Sequence, residues 1–155
     1  MGRRRTVPEE AVLAAAIRVM GRMGPERLTL AEIAAECGLA AATLVQRYGS
    51  KRGLLLALAK AGAEGMPECF AMVRAGQKAA LPALFAAFEA FASLAPTAEA
   101  LVHSLGFLQV DIADPEFRRW TLQQSKATLA GYEALIEDAV LEGDLRGCDP
   151  AALAR

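Results

Sequence analysis

The sequence predicts an all-α fold, and three observations carry that expectation. Alanine, the strongest intrinsic helix former, fills 34 of 155 positions. Apolar residues recur at helical spacing along most of the chain, and no segment alternates at period two as a half-buried strand would. Start and stop signals also follow one another in order and cut the chain into segments of helical length.

Taken in order, Thr6-Val7-Pro8-Glu9 forms a capping box in which hydroxyl and carboxylate cover free backbone N–H groups. The helix it opens carries an apolar stripe of Val12, Leu13, Ala16, Ile17 and Met20, and Gly24-Pro25 stops it. A second box, Thr29-Leu30-Ala31-Glu32, starts a short helix with Leu30, Ile33 and Ala34 inward, ended by Cys37-Gly38. Ala41 to Tyr48 supply two turns before Gly49, and Ser50 caps a long helix through Leu54, Leu55, Leu58 and Ala61 to Gly65-Met66-Pro67. Pro82 begins a helix with Leu84, Phe85, Phe88 and Phe91 on one side, ended by Pro96. The next runs from Thr97 to about Ile112 with Leu101, Leu105 and Leu108 inward. Asp114-Pro115-Glu116 joins a cap, a Pro at the first helical position and an acid in the positive first turn, opening the longest helix, to about Leu141. Asp149-Pro150 repeats the signal with five residues to follow, so the expectation is a helical body whose last helices are cut short.

Several function classes are excluded by what is missing. No apolar run reaches the roughly 20 residues needed to span a bilayer. The opening MGRRRTVPEE leads into an amphipathic helix and not into a secretory apolar segment. Cys37, Cys69 and Cys148 are odd in number and lack CxxC spacing, which argues against a disulfide framework or zinc site and for a reducing cytoplasm. One His, no Gly-rich phosphate loop and no scaffolded Ser/His/Asp set leave no enzyme constellation and no cofactor to expect. Asp111 and Asp114 lie close together, but Asp114 serves as a cap.

The net charge of −1 conceals an asymmetry. Residues 1–60 hold ten basic and five acidic groups, while the remainder holds seven basic and thirteen acidic. A basic front on an acidic body suits a nucleic-acid reader joined to a module of another kind. Three helices in about the first 48 residues, the second and third short and joined by a Gly-containing turn, make a helix-turn-helix.

The stretches TLAEIAAECGLAAATLVQRYGSKRGLLLAL and DPEFRRW resemble the tetracycline-repressor (TetR) family of bacterial transcriptional regulators. The fingerprint is apolar-Ala-x-x-x-Gly-apolar-x-x-x-Thr-apolar, then an aromatic residue, then Ser-Lys before a Leu-rich helix. The likeness covers residues 8–60 by motif and the remainder by helix order and length. It implies a DNA-binding domain at 1–48 and a ligand-sensing and dimerisation domain at 49–155. It also implies that the reading helix presents Ala41, Ala42, Thr43, Val45, Gln46 and Arg47. Thr43 and Lys51 resemble the family's phosphate contacts, and Thr29 matches a further backbone contact at a helix N-terminus. Gln46 and Arg47 are the long polar side chains suited to adenine and guanine edges. Arg3 to Arg5 form a tail that reaches DNA by charge alone. Three positions depart from the family pattern: Ala40 stands where a capping Ser is usual, Val45 replaces a Tyr, and Tyr48 replaces a Phe with its hydroxyl expected to point outward.

For the body, the resemblance implies a small apolar ligand, with Cys69, Phe70, Phe85, Phe88, Phe91, His103, Phe107, Gln109, Trp120, Gln123 and Tyr132 as candidate lining. The plainer reading of each Phe is ordinary core. The expected function is a cytoplasmic homodimeric repressor that binds a palindromic double-stranded operator and is released by the ligand. The alternative is a ligand-sequestering or protein-binding helical module without an operator.

Overall fold

The computed structural model describes residues 7–146 and 149–153, so Arg3 to Arg5, the Thr6 cap and Cys148 lie outside the described residues. Among the described residues there are eight helices and no strand: α1 Glu9–Arg27, α2 Leu30–Cys37, α3 Ala41–Tyr48, α4 Lys51–Ala75, α5 Ala80–Ala92, α6 Ala98–Ala113, α7 Pro115–Leu141 and α8 Pro150–Leu153. They divide into two compact units. The first joins residues 1–58 to 95–114, and the second joins 59–94 to 115–155. The first unit thus extends past residue 48 into α4 and takes in α6.

The first unit is built on α1. Gly24 interrupts that helix at φ +71°, a conformation that favours glycine, and Pro25 opens one further turn to Arg27. Val12, Ala16 and Val19 pack with Leu28, Ile33, Leu44, Leu54 and Phe107 in one core. Ile17, expected in the buried stripe, is exposed, and Val19 takes its place. In α6 the expected face is reversed: Leu101, Leu105 and Leu108 are exposed, while Ala100 and Phe107 are buried. The reason is shape at the α1 break. The His103 ring lies 2.9 Å from where a Cβ on Gly24 would stand, and a Cβ on Gly106 would come 3.2 Å from the Pro25 ring. Only flat or small groups fit so close an approach, and close packing overrides bulk hydrophobicity there.

Local chemistry then sets α2 to α4. The Thr29 hydroxyl accepts from the Glu32 N–H at 3.2 Å, and left-handed Gly38 (φ +67°) closes the far end of α2. α3 starts at Ala40 without a side-chain cap. The Ser50 hydroxyl accepts from the Gly53 N–H at 3.0 Å, opening α4. Gly53 is demanded by proximity, because a Cβ there would stand 2.0 Å from the Tyr48 carbonyl oxygen. Glu36 ties α2 to α1 through Arg18 (2.9 Å) and Arg22 (2.7 Å), and these two guanidinium hydrogen bonds lower its pKa.

In the second unit α4 continues to Ala75 through Pro67, past the expected stop. Burial of Met66 and Phe70 with Ala83, Ala87 and Leu135 brackets the proline and holds the helical path despite the lost N–H. α5 begins at Ala80, with Pro82 inside its first turn, and buries Ala80, Ala83 and Ala87. Phe85 and Phe88, expected inward, are 61% and 52% exposed. Alanines bring α5 against α7, and Phe88 instead stacks on Tyr132 at 4.7 Å. Phe70 meets Tyr132 edge-on at 5.0 Å and lies over Gly131, where a Cβ would come within 2.4 Å of its ring. Arg74 at the end of α4 joins Asp138 (3.1 Å) and Glu142 (2.6 Å), and the other Glu142 oxygen accepts from the Ala80 N–H at 2.7 Å. No helix among the described residues is long and apolar enough to cross a membrane.

Two outcomes are expected from this packing. Gly53→Ala forces the α3–α4 turn apart and lowers unfolding free energy by about 3 kcal/mol, measurable by urea titration, whereas a loss under about 0.5 kcal/mol contradicts the contact. The stability gap between wild type and Glu36→Gln is present at neutral pH, because a depressed carboxylate contributes only while ionised. It closes as pH falls through the lowered pKa, and a gap that persists unchanged into strong acid rules the ion pairs out as its source.

Candidate nucleic-acid interface

The two turns of α3 sort their side chains sharply. Leu44 is fully buried, Ala41, Thr43 and Tyr48 are half-buried, and Ala42, Val45, Gln46 and Arg47 are exposed. Ala42, Val45 and Gln46 lie at helical spacing on the side opposite Leu44 and make one solvent face. Arg47 turns away from that face. Its Nη1 donates to the Val7 carbonyl at 2.9 Å, and its guanidinium carbon sits 5.6 Å from the centre of the Tyr48 ring.

Tyr48 differs from expectation. Its hydroxyl is enclosed and makes no hydrogen bond within 3.5 Å among the described residues, so it does not point outward. Burial raises its pKa, the neighbouring Arg47 charge works in the opposite direction, and the nearby Glu9 carboxylate raises it further. The ring packs with the first core, and the missing Cβ of Gly53 lets the Tyr48 carbonyl lie close against α4.

Lys51 donates from Nζ to two carbonyls at the end of α1, Pro25 at 3.2 Å and Leu28 at 3.0 Å. One of its three ammonium donors is left for another acceptor. Thr29, exposed at the start of α2, holds its cap bond to Glu32. Beside Lys51, Arg52 forms a forked pair with Asp114, Nε and Nη2 lying 3.0 and 2.8 Å from Oδ2. Sequence reasoning gave Asp114 to a cap alone and passed over Arg52, because nothing local links residues so far apart.

The candidate ligand residues fall in both compact units. His103, Phe107 and Gln109 belong to the first unit. The His103 Nδ1 lies 2.9 Å from the Gly21 carbonyl, Phe107 is in the first core, and Gln109 is exposed. Cys69, Phe70, Phe88, Trp120 and Gln123 belong to the second. Cys69 and Trp120 are half-buried, Gln123 is exposed, and the Arg119 guanidinium lies 4.4 Å over the Trp120 ring. A groove of about 370 Å³ runs between α4 and α7 in this unit. Pro67, Phe70, Ala71 and Arg74 form one side, and Ala127, Ala130, Gly131, Ala134, Leu135 and Asp138 the other. Of the predicted lining residues, Phe70 is the one found there. The signal overlooked in the sequence is the small-residue face of α7, Ala127, Ala130, Gly131 and Ala134, which leaves room where large side chains were sought.

Residues 12–58 match the family profile described as bacterial regulatory proteins, tetR family. This module belongs to the TetR family. Comparison with curated proteins returns no match. Solved structures give the same fold over nearly the whole chain. A TetR transcription regulator from Haloarcula marismortui is 20% identical with a TM-score of 0.70, covering 95% of this chain and 78% of that one. The TetR-family regulator PfmR from Thermus thermophilus is 23% identical with a TM-score of 0.62, covering 93% and 78%. The regulator FadR from Bacillus subtilis, solved in complex with stearoyl-CoA, is 20% identical with a TM-score of 0.64, covering 95% and 79%.

Within the TetR module, the enclosed Tyr48 hydroxyl yields a further expectation. Tyr48→Phe removes a buried polar atom that makes no hydrogen bond within 3.5 Å among the described residues and keeps the ring, so stability is unchanged or rises by up to about 1 kcal/mol in thermal or urea unfolding. A loss of more than about 1 kcal/mol contradicts the absence of such a bond.

Proposed function

We propose that this TetR-fold regulator is a repressor whose homodimer sets two copies of α3 in successive major grooves of a palindromic operator, and that a small apolar ligand in the α4–α7 groove releases it. The observation that carries the reading is α4 itself. It is one helix from Lys51 to Ala75, with Lys51 beside the reading helix and Pro67, Phe70, Ala71 and Arg74 along the groove. Half-site spacing is a geometric requirement for a two-fold reader, so a ligand that moves α4 acts on affinity through that spacing. The groove volume falls in the range of small-molecule sites, and its small apolar walls favour an aliphatic ligand. The acyl-CoA in the Bacillus subtilis relative supports the same ligand class. Thr29 and Thr43 contribute phosphate contacts, as does the remaining Lys51 donor, and these fix register without reading sequence.

In vitro selection from a random duplex pool tests the operator. The expected result is an enriched palindrome, and salt-sensitive binding without enrichment favours the sequestering module. Ala130→Phe then tests the coupling without a ligand in hand, since it fills the groove. Operator affinity is expected to fall about tenfold while the melting temperature stays within a few degrees, and unchanged affinity removes the coupling.

A further inference from the structure

We infer that α3 reads its half-site through thymine methyl groups and one adenine, so that the operator core is A·T-rich and Arg47 reads no base. This rests on the operator-binding reading above. The exposed face of α3 consists of Ala42, Val45 and Gln46, directly opposite the buried Leu44. Two of those three side chains are purely aliphatic and can meet only one major-groove feature favourably, the C5 methyl of thymine. Gln46 is the single long polar group on the face, and its amide matches the N6/N7 edge of adenine.

Arg47 is the residue that would otherwise bring guanine into the site. At 100° per residue it stands roughly 60° from Leu44 and about 150° from the middle of the exposed face. Its Nη1 is held by the Val7 carbonyl at 2.9 Å, and its guanidinium lies beside the Tyr48 ring. To fork onto guanine it must break that bond and swing around the end of α3. Arg52, the other nearby guanidinium, is forked onto Asp114. Lys51, with two of its donors on Pro25 and Leu28, is fixed at the foot of α4. Arg47, Lys51 and Arg52 are therefore engaged in holding the unit together, and the reading face of α3 is left short and apolar.

The test uses the full chain in selection from a random duplex pool, followed by titration of the enriched duplex. The expected motif has A·T pairs at the half-site positions that α3 faces. Replacing the selected thymines by uracil removes only the methyl groups, and each contacted methyl is expected to cost about fourfold in affinity. Gln46→Ala flattens the preference for adenine at one position about tenfold, while Arg47→Ala leaves the selected motif as it was. A palindrome with guanine in the half-site that Arg47→Ala erases overturns this inference and leaves operator binding intact. Insensitivity to uracil at every selected thymine also overturns it. A pool with no enriched motif overturns the operator reading itself, and the inference falls with it.

Discussion

The break at Gly24, the missing N–H of Pro25 and the helix end behind them leave carbonyls that α1 does not pair, and two side chains from distant segments take them up. His103 of α6 sits at the Gly21 oxygen, and Lys51 of α4 reaches those of Pro25 and Leu28. The same break supplies the recess that admits the His103 ring and brings Pro25 against Gly106. One glycine dihedral thus decides where α4 and α6 attach to the first core, and α2 and α3 follow from where α4 begins. An unbroken α1 would not offer the recess.

Much of this fold was legible in the sequence, and the pattern of what was not is physical. Local signals did well: Thr29, Gly38, Gly49 and Ser50 sit at the boundaries that their chemistry sets. Inward faces were misjudged wherever two helices approach closely. On α5 and α6 the buried positions are largely small or flat residues, and the large apolar ones stay outside. Hydrophobicity ranks the gain from burial but carries no information about the distance between two axes. Pro67 misled for a related reason, since its local penalty is outweighed by packing on either side.

The candidate site shows the same division. The positions of α3 were readable from the motif, and so was the missing cap at Ala40. The bonds that engage Arg47, Lys51 and Arg52 were not, because each partner lies more than twenty residues away in sequence. Composition counted ten basic groups in the first 60 residues as available charge. Arg18 and Arg22 are joined to Glu36, Arg52 to Asp114, and Arg47 and Lys51 to backbone oxygens. The carboxylate pairs reduce the charge presented to a polyanion, while Arg47 and Lys51 keep their charge but are held in place.

Glu142 carries a consequence of a different kind. α5 has no side-chain cap of its own at Ala79, and its first N–H at Ala80 is satisfied by a carboxylate 62 residues downstream. That carboxylate is in turn aligned by Arg74, at the end of the preceding helix. The first turn of α5 closes on its own through the Ala83 N–H and the Ala79 carbonyl, but its Ala80 N–H gains this partner only once the end of α7 is made and docked. During synthesis the segment from Ala80 to Ala92, apolar at nearly every position, passes a long interval with one end open. The order in which the chain emerges makes α5 the late and exposed element of the second unit, although it lies in the middle of the sequence.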